Sequence, residues 1–477
     1  VIDLCPVGAL TSKPDAFKAR PWELRITESI DLSDSLGSNT YLNYKETEII
    51  RVLPKSNINI NENWISDKAR FSYDALKNQR LQYPLIKNQD DATELTWSNI
   101  LKLVIGSIDN STITFAIDND LDFTSINLLK QLQRKYPNTV KLRSVAQSGN
   151  FENFNTNIFD LNLKELNREI NTCFVLSSNI RLESAIINSR LRSKYLNETF
   201  NLVSFGLKSK NNIPSKIVNL NVKNILNLFE GKSSVFSKLL INNKNPLFIL
   251  GESLKQRINN LESIKQVIKN YAPTALILFI EEKSNSKGLS LTGNVLPLST
   301  IDLENSSNLF CVNLQDNYKT RSILNQYKGQ VIWMNTHYSD LLMQIENCII
   351  IPALSFYEDE NLFVNLEGKP QKTLKAINGP TKARSIRKFF STLLDANKIS
   401  TTFSVFLEYL SKGNKSNADS KGQLFDCNYT NNNVKTLYSS YPLKSVVEDF
   451  YRTNNLLKNS PVMLECSNEV RKNSTNF

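Results

Sequence analysis

The feature that most constrains this chain is a succession of short, unbroken apolar runs separated by helix-like stretches. "STITFAI", "TCFVLSS", "NLVSFG", "KIVNLNV", "NPLFILG", "TALILFI", "NLFCVNL", "QVIWMN" and "CIIIPAL" are each strand-sized. A strand with one wet face alternates apolar and polar residues, whereas a strand that is apolar throughout is covered on both faces. Between the runs lie amphipathic stretches such as "TWSNILKLVIGSI", opened by Thr96 or Ser98, "FTSINLLKQLQRKYP", "ESAIINSRLRSKYL" and "LESIKQVIKNYA". Strands alternating with helices predict parallel sheets with helices on both sides. Residues 91–410 are therefore expected to be α/β and doubly wound, with length enough for two lobes.

The flanks read differently. A chain of 477 residues exceeds what one hydrophobic core usually organises. Residues 1–24 hold Pro6, Gly8, Pro14 and Pro21 and end near Trp22, which predicts an irregular wrapped segment. In residues 25–90, "LGSNTYLNY" and "TEIIRVLP" predict two strands joined by a polar turn, in a small β-rich domain. "NENWISDKARFSYDALKNQRLQYPLI" then supplies Trp64, Phe71, Tyr73 and Leu76 before a proline-limited extended piece. Residues 411–477 turn polar and Asn-rich, and end on a helix-like "PLKSVVEDFYRTNNLL"; this tail is expected to lie on the surface. No apolar run reaches the roughly 18–20 residues of a membrane span. The first residues do not read as a signal or transit peptide.

A net charge of +11 favours acidic partners: nucleic acid, an anionic membrane or an acidic protein surface. An independent basic RNA- or anion-binding module is one reading of that charge. Basic residues are dense only in "TKARSIRKFF" (381–390), at helical spacing, which reads as a solvated helix face. There is no G-x-G-x-x-G and no phosphate-binding P-loop motif, and "FG" (205–206) and "LGES" (250–253) are the only glycines at strand ends. His337 is the sole histidine, so histidine-based catalysis and multi-histidine metal sites have almost no material. It ends "VIWMNTH", where α/β sheets place ligands, but a hydrogen-bonded structural role is expected. Glu358, Asp359 and Glu360 read as a solvated turn.

The six cysteines are Cys5, Cys173, Cys311, Cys348, Cys427 and Cys466, and none forms a C-x-x-C pair. Cys173, Cys311 and Cys348 lie in apolar runs and read as small core residues, in keeping with a reducing compartment. Cys5 precedes Pro6, as the fourth ligand of a ferredoxin-type cluster often does. One thiolate cannot hold a cluster, and no other cysteine is near in sequence. A ligand completed by another chain and an idle thiol both remain open on these residues alone.

"DLCPVGALTSKP", followed by "FKARPWELRITESIDLSDSLGSN", closely resembles the large iron–sulfur subunit of respiratory complex I, the proton-pumping NADH:ubiquinone oxidoreductase. So does "NENWISDKARFSYDALKNQRL". "NIRLESAIINSRLRSKYL" (179–196) and "NPLFILGESLKQR" (245–257) are similar to further segments of that family. "CIIIPALSFYEDENLFVNLEGKPQKT" (348–373) resembles a loop shared across the molybdopterin oxidoreductase superfamily, with Asn365, Glu367 and Gly368 in place and Lys369 where Arg is common. Asp449, Phe450, Tyr451, Thr453, Ser460, Met463 and Cys466 fall at the family's spacing.

The resemblance implies molybdopterin-oxidoreductase-like sheets in two lobes, preceded by the small β-rich domain and the short segment near a cluster. It implies that Cys5 is the last ligand of a four-iron four-sulfur cluster. The other ligands would come from an amino-terminal iron–sulfur piece of the same subunit, carried on a separate chain. Pro6 would stiffen the ligand turn, and N–H groups from Val7 to Ala9 would tune the cluster. Electrons would pass from NADH along clusters to ubiquinone, with no independent catalytic site in this chain. Flavin-bearing and other peripheral-arm subunits would be its partners, on the matrix side of the mitochondrial inner membrane, with no nucleic acid and no membrane span. No molybdopterin is expected: Ser177 and Ile180 stand where Gly and Pro are usual, and "RSVAQSGNFENF" offers no cysteine. Ser148 in that loop reads as a surface serine. A free-standing molybdopterin enzyme is the remaining alternative.

Overall fold

The computed structural model describes residues 2, 5, 7–88, 91–145, 163–167, 170–205, 212–218, 245–255, 261–293, 295–394, 447 and 449–475. Arg25–Ile30, Asn39–Lys45 and Glu48–Pro54 form an antiparallel three-stranded sheet, one strand more than the sequence suggests. The first strand buries only Ser29 and Ile30, so its pattern carries little periodic signal. Gly37, at φ +68, turns the chain between the first two strands. A Cβ there would meet the Gln371 side chain, whose Nε2 donates to the Gly37 carbonyl at 2.8 Å.

The larger α/β sheet has eight strands, in the order Leu296–Pro297, Val140–Ser144, Ile113–Ile117, Asn308–Val312, Gln330–Asn335, Asn347–Pro352, Leu85–Asn88 and Asp91–Glu94. Its first six strands are parallel. Ile113–Ile117 is buried at every position, as an unbroken apolar run requires. Helix Trp97–Asn110 covers one flank, with Ile100, Val104 and Ile108 buried at four-residue spacing and Thr96 capping its start. Phe115 and Phe310 stack at 5.0 Å between neighbouring strands, and Phe390 from helix Ile386–Leu393 closes on Phe115 at 5.8 Å.

The second sheet runs Ser215–Val218, Asn201–Phe205, Thr172–Leu176, Leu247–Gly251 and Leu276–Ile280, parallel throughout. Phe174 and Phe248 stack at 4.9 Å across its centre. The two sheets are the two lobes. The continuation of "KIVNLNV" after Val218 lies outside the described residues.

Two expectations change. A boundary at residue 90 would cut a hairpin, because Leu85–Asn88 pairs antiparallel with both Asp91–Glu94 and Asn347–Pro352. The preceding Pro84 ends the sequence pattern without showing which sheet the strand joins. Residues 449–475 of the tail are also not a surface strap, and residues 411–446 lie outside the described residues. Leu456 joins Leu42, Ile49, Val52 and Tyr73 in one core, and Met463 is fully buried. Helix Pro461–Thr475 packs against Asp67–Phe71, and the N–H of Val462 donates to Asp74 at 3.1 Å. Residues 449–454 are not helical; the helices are Asn455–Lys458 and Pro461–Thr475. Among the described residues, no helix is long and apolar enough to cross a membrane.

Candidate cluster ligand and the strand-end cleft

Cys5 is half-buried, its N–H donating to the Ile2 carbonyl at 3.1 Å and its thiol donating to the Val7 carbonyl at 2.9 Å. Backbone hydrogen bonds from Leu10, then Val7 and Ala9, hold its pKa below that of an ordinary thiol. The tight turn that follows the cysteine gathers these dipoles, and they favour the thiolate, the form that binds iron. Pro6 lies outside the described residues. Val7, Leu10, Phe17 and Trp22, in the same amino-terminal segment, are exposed, at 65%, 50%, 106% and 80%. Several large apolar side chains left bare in one short segment are in keeping with a docking face. A four-iron four-sulfur cluster fits this thiol as one ligand of several. Among the described residues, no three His, Cys, Asp or Glu side chains could together hold a metal ion.

The other described cysteines are unsuited to share it. Cys173, Cys311 and Cys348 are fully buried in the sheets, as expected of core residues. Burial pushes Cys173 and Cys311 well above an ordinary thiol and Cys348 up to about 12. Cys466 is pushed up by burial, then by Asp67 and Glu465. Cys427 lies outside the described residues.

The carboxyl ends of both sheets open on a cavity of about 890 Å³, where α/β folds place ligands. Asp118 follows one strand, Glu252 and Glu282 follow two others, and Asn335 ends a fourth. Lys283 lies among carboxylates, 3.4 Å from Glu282 and 3.8 Å from Asp120, and donates to the Thr453 carbonyl at 3.1 Å. Burial alone would lower its pKa, but Glu282, Asp120, Asp118 and Glu252 together hold it above the ordinary lysine value. Burial pushes Asp120 up to about 6, against the pull of Lys283. Sequence reasoning missed this network. Its signal is a charged "DND" or "EEK" directly after an apolar strand.

A molybdopterin, with its phosphate groups, does not fit these strand ends. The strand ends carry the carboxylates Asp118, Glu252 and Glu282, whose charge opposes phosphate. The glycine there leaves no cradle either: a Cβ on Gly251 would meet the Ser177 carbonyl at 2.3 Å and Ser178 at 2.7 Å. That closeness serves strand packing, and Ser253 ties the same Ser177 carbonyl with a 2.5 Å hydrogen bond. Ser177 itself is buried at φ 57, and Ile180 is a core residue. Ser148 and most of its loop lie outside the described residues.

His337 is buried, with Nδ1 2.8 Å from the Thr336 hydroxyl and Nε2 3.0 Å from the Ala75 carbonyl. Burial, then the Arg80 charge, lowers its pKa to about 4, so the ring is neutral near pH 7. This is the structural role expected of it. The acidic triplet departs from a solvated turn. Glu358 is buried and ion-paired with Arg80 at 2.6 Å, Asp359 is buried, and only Glu360 faces solvent. Adjacent acidic letters conceal that difference because the partner is far away in sequence. In the "NLEGK" loop, the Asn365 side chain accepts from the N–H groups of Glu367 at 3.0 Å and Lys369 at 2.9 Å. Gly368, at φ +79, completes this hairpin turn, so the loop acts structurally. In the basic stretch, Arg384 lies over the Trp97 ring at 5.8 Å, Phe389 and Phe390 are buried, and Lys382, Arg384 and Lys388 are exposed.

Comparison with known proteins agrees with this architecture. The "Molybdopterin oxidoreductase" family profile matches residues 80–396, and the profile "NADH-ubiquinone oxidoreductase NDSU1/NuoG-like, 4Fe-4S domain" matches residues 24–74. Cys5 lies outside both matches. The chain is 32% identical to the NADH-ubiquinone oxidoreductase 75 kDa subunit of Reclinomonas americana, over 99% of this chain and 72% of that protein. It is 29% identical to the mitochondrial 78 kDa subunit of Candida albicans, over 98% of this chain and 67% of that one. It is 28% identical to the 75 kDa subunit of Acanthamoeba castellanii, over 100% of this chain and 71% of that one. With an α/β body of the molybdopterin oxidoreductase type and relatives that span nearly its full length, this chain belongs to the family of the large iron–sulfur subunit of NADH-ubiquinone oxidoreductase.

Proposed function

We propose that this chain works as a subunit of the proton-translocating NADH:ubiquinone oxidoreductase, in the peripheral, matrix-facing arm of the mitochondrial complex. Its chemical contribution is the Cys5 thiolate, one ligand of a four-iron four-sulfur cluster in the electron path from NADH to ubiquinone. The remaining thiolates come from an amino-terminal iron–sulfur piece held on another chain. The exposed side chains of Val7, Leu10, Phe17 and Trp22 form the face on which that piece docks. When bound, the cluster supplies one-electron transfer. The chain holds the thiolate form, screens the cluster from water and supports flavin-bearing and other arm subunits. It carries no molybdopterin and no bond-changing site of its own.

The observation that carries this reading is the backbone hydrogen bonding at Cys5, which holds its pKa below that of an ordinary thiol. The test is electron paramagnetic resonance of the reduced, purified complex carrying Cys5→Ala. One four-iron signal is expected to disappear while the others remain. Cys466→Ala should leave every signal in place. A full set of signals in Cys5→Ala would sink the assignment.

A further inference from the structure

From Gly368 to Leu394 the sequence holds no Asp or Glu. Two lysines of this stretch are neutralised by carboxylates that precede it, Lys369 by Glu367 at 2.7 Å and Lys372 by Glu360 at 3.0 Å. Lys382, Arg384 and Lys388 are different: all three are exposed, and none is in an ion pair with a described residue. Arg387 between them is half-buried, and its charge acts on the buried Asp122. Glu94, exposed on the strand Asp91–Glu94, pairs with none of the three. The three cations belong to one surface. Lys382 Nζ lies 6.0 Å from the ring centroid of the exposed Tyr83, and the Lys382 carbonyl accepts from the Trp97 indole N–H at 2.9 Å. Arg384 lies over the same Trp97 ring, and Trp97 in turn meets Phe389, the neighbour of Lys388, with ring centroids 6.0 Å apart. Helix Ile386–Leu393 begins within this patch and has no acidic residue in its first turn. A helix start carries partial positive charge, so these cations add to it instead of balancing it.

We propose that Lys382, Arg384 and Lys388, set on Tyr83 and Trp97, form a docking patch for an acidic surface of another protein chain in the complex. The aromatic rings hold two of the cations in place before a partner arrives, so less side-chain freedom is lost on docking. The Arg384 guanidinium, a planar fork of donors, suits a carboxylate, and the two lysines add point charges on either side of it. Charge complementarity therefore names the partner as one rich in Asp and Glu. The same geometry disfavours two other anions. Tyr83 and Trp97 already carry cations on their faces, which leaves them unsuited to stacking the bases of single-stranded RNA. A membrane surface asks for about 4–8 cations together or for apolar side chains to insert, and here Phe389 and Phe390 are buried. The patch rests on the chain's place among other subunits and is independent of Cys5.

The test is carbodiimide cross-linking of the purified complex, read by peptide mass spectrometry. The reagent activates a carboxylate, and a lysine amine in contact with it displaces the activating group to form an amide. Lys382 and Lys388 should each be joined to Asp or Glu of another chain. The exposed pair of Lys77 and Glu48, 2.7 Å apart, reports that the reaction has run. Arg384→Gln should lower the yield of the Lys382 and Lys388 links about threefold, and Lys472→Gln, which removes an exposed pair with Glu469, should leave it unchanged. If Arg384→Gln does not fold, Lys388→Gln should lower the Lys382 link in the same way. With the Lys77–Glu48 link formed, the absence of links to another chain, links only to carboxylates of this chain, or undiminished links in the folded variant would each overturn the proposal. So would binding of the full chain to phosphatidylserine vesicles or to polyuridylate that Lys382→Gln abolishes, since the patch would then serve a lipid surface or RNA. A chain that does not purify with other subunits at all would instead overturn the reading of the chain as a subunit.

Discussion

Arg80 Nη2 lies 2.6 Å from Glu358 Oε2, with the two side chains only 5% and 4% exposed. The pair joins the end of the β-rich region to the loop after the strand Asn347–Pro352, and Arg80 Nη1 also donates to the Thr336 carbonyl at 3.2 Å. Glu358 accepts a further bond from the Ser355 N–H at 2.8 Å. Removing one partner strands a buried charge, so Glu358→Ala should cost about 3–5 kcal/mol in urea unfolding. Replacing both partners together, as Arg80→Met with Glu358→Leu, should recover most of that loss. A Glu358→Ala variant as stable as the parent would show that the pair is not buried in solution.

That pair also marks the limit of what the sequence could tell. The parallel strands were legible because burial on both faces leaves an unbroken apolar run, and the strands from Ile113–Ile117 to Asn347–Pro352 lie where such runs stand. The cysteine beside Pro6 was legible because its context is a short local pattern. Glu358 was not, since nothing in "YEDEN" reveals an arginine 278 residues away. For the same reason Lys68 gave no signal. It is buried beneath Phe450, 4.6 Å from the ring, with Asp31 and Asp34 near. The core role of Leu456 was hidden because an Asn-rich tail dilutes the periodicity that would announce a buried face.

His337 sets a pH dependence. Its folded pKa, about 4, lies below the unfolded value of 6.5, so the unfolded chain binds more protons between these limits. The stability it contributes is complete above pH 6.5 and is lost as the pH falls toward 4, by roughly 3 kcal/mol. Comparing the unfolding free energy of the parent with that of His337→Gln from pH 7 to pH 4 isolates this group. The parent should lose the extra stability across that interval; parallel curves for the two proteins would refute the assignment.

Gly251→Ala tests the close approach of the two central strands in the smaller sheet. The added methyl would stand 2.3 Å from the Ser177 carbonyl, which is backbone and cannot swing away. The strand ends must part, at a cost of about 1–3 kcal/mol. Thermal unfolding should show a lower midpoint, and a midpoint equal to that of the parent would mean that this approach is looser than described.

Leu457→Ala tests the carboxy-terminal packing. Leu457 is 1% exposed, and its helix contacts the Ser72–Lys77 segment. Deleting a buried leucine side chain leaves a cavity and costs about 2–5 kcal/mol. A surface strap would lose almost nothing, so urea unfolding separates the two arrangements directly.

Cys5 should be the most reactive of the described thiols in the full chain free of cluster. The thiolate is the form that attacks an alkylating reagent. Hydrogen bonds from Leu10, Val7 and Ala9 hold the Cys5 pKa down, whereas burial holds those of Cys173, Cys311, Cys348 and Cys466 up. As the pH rises, iodoacetamide labelling of Cys5 should climb and level off earlier than for an ordinary thiol, whose pKa is about 8.5. Peptide mass spectrometry resolves each site. Leu10→Pro, which removes the first of these backbone donors, should move the Cys5 curve to higher pH without changing that of Cys466. If Cys466 is labelled as fast as Cys5 at neutral pH, the turn does not stabilise the thiolate, and the physical argument for Cys5 as an iron ligand loses its support.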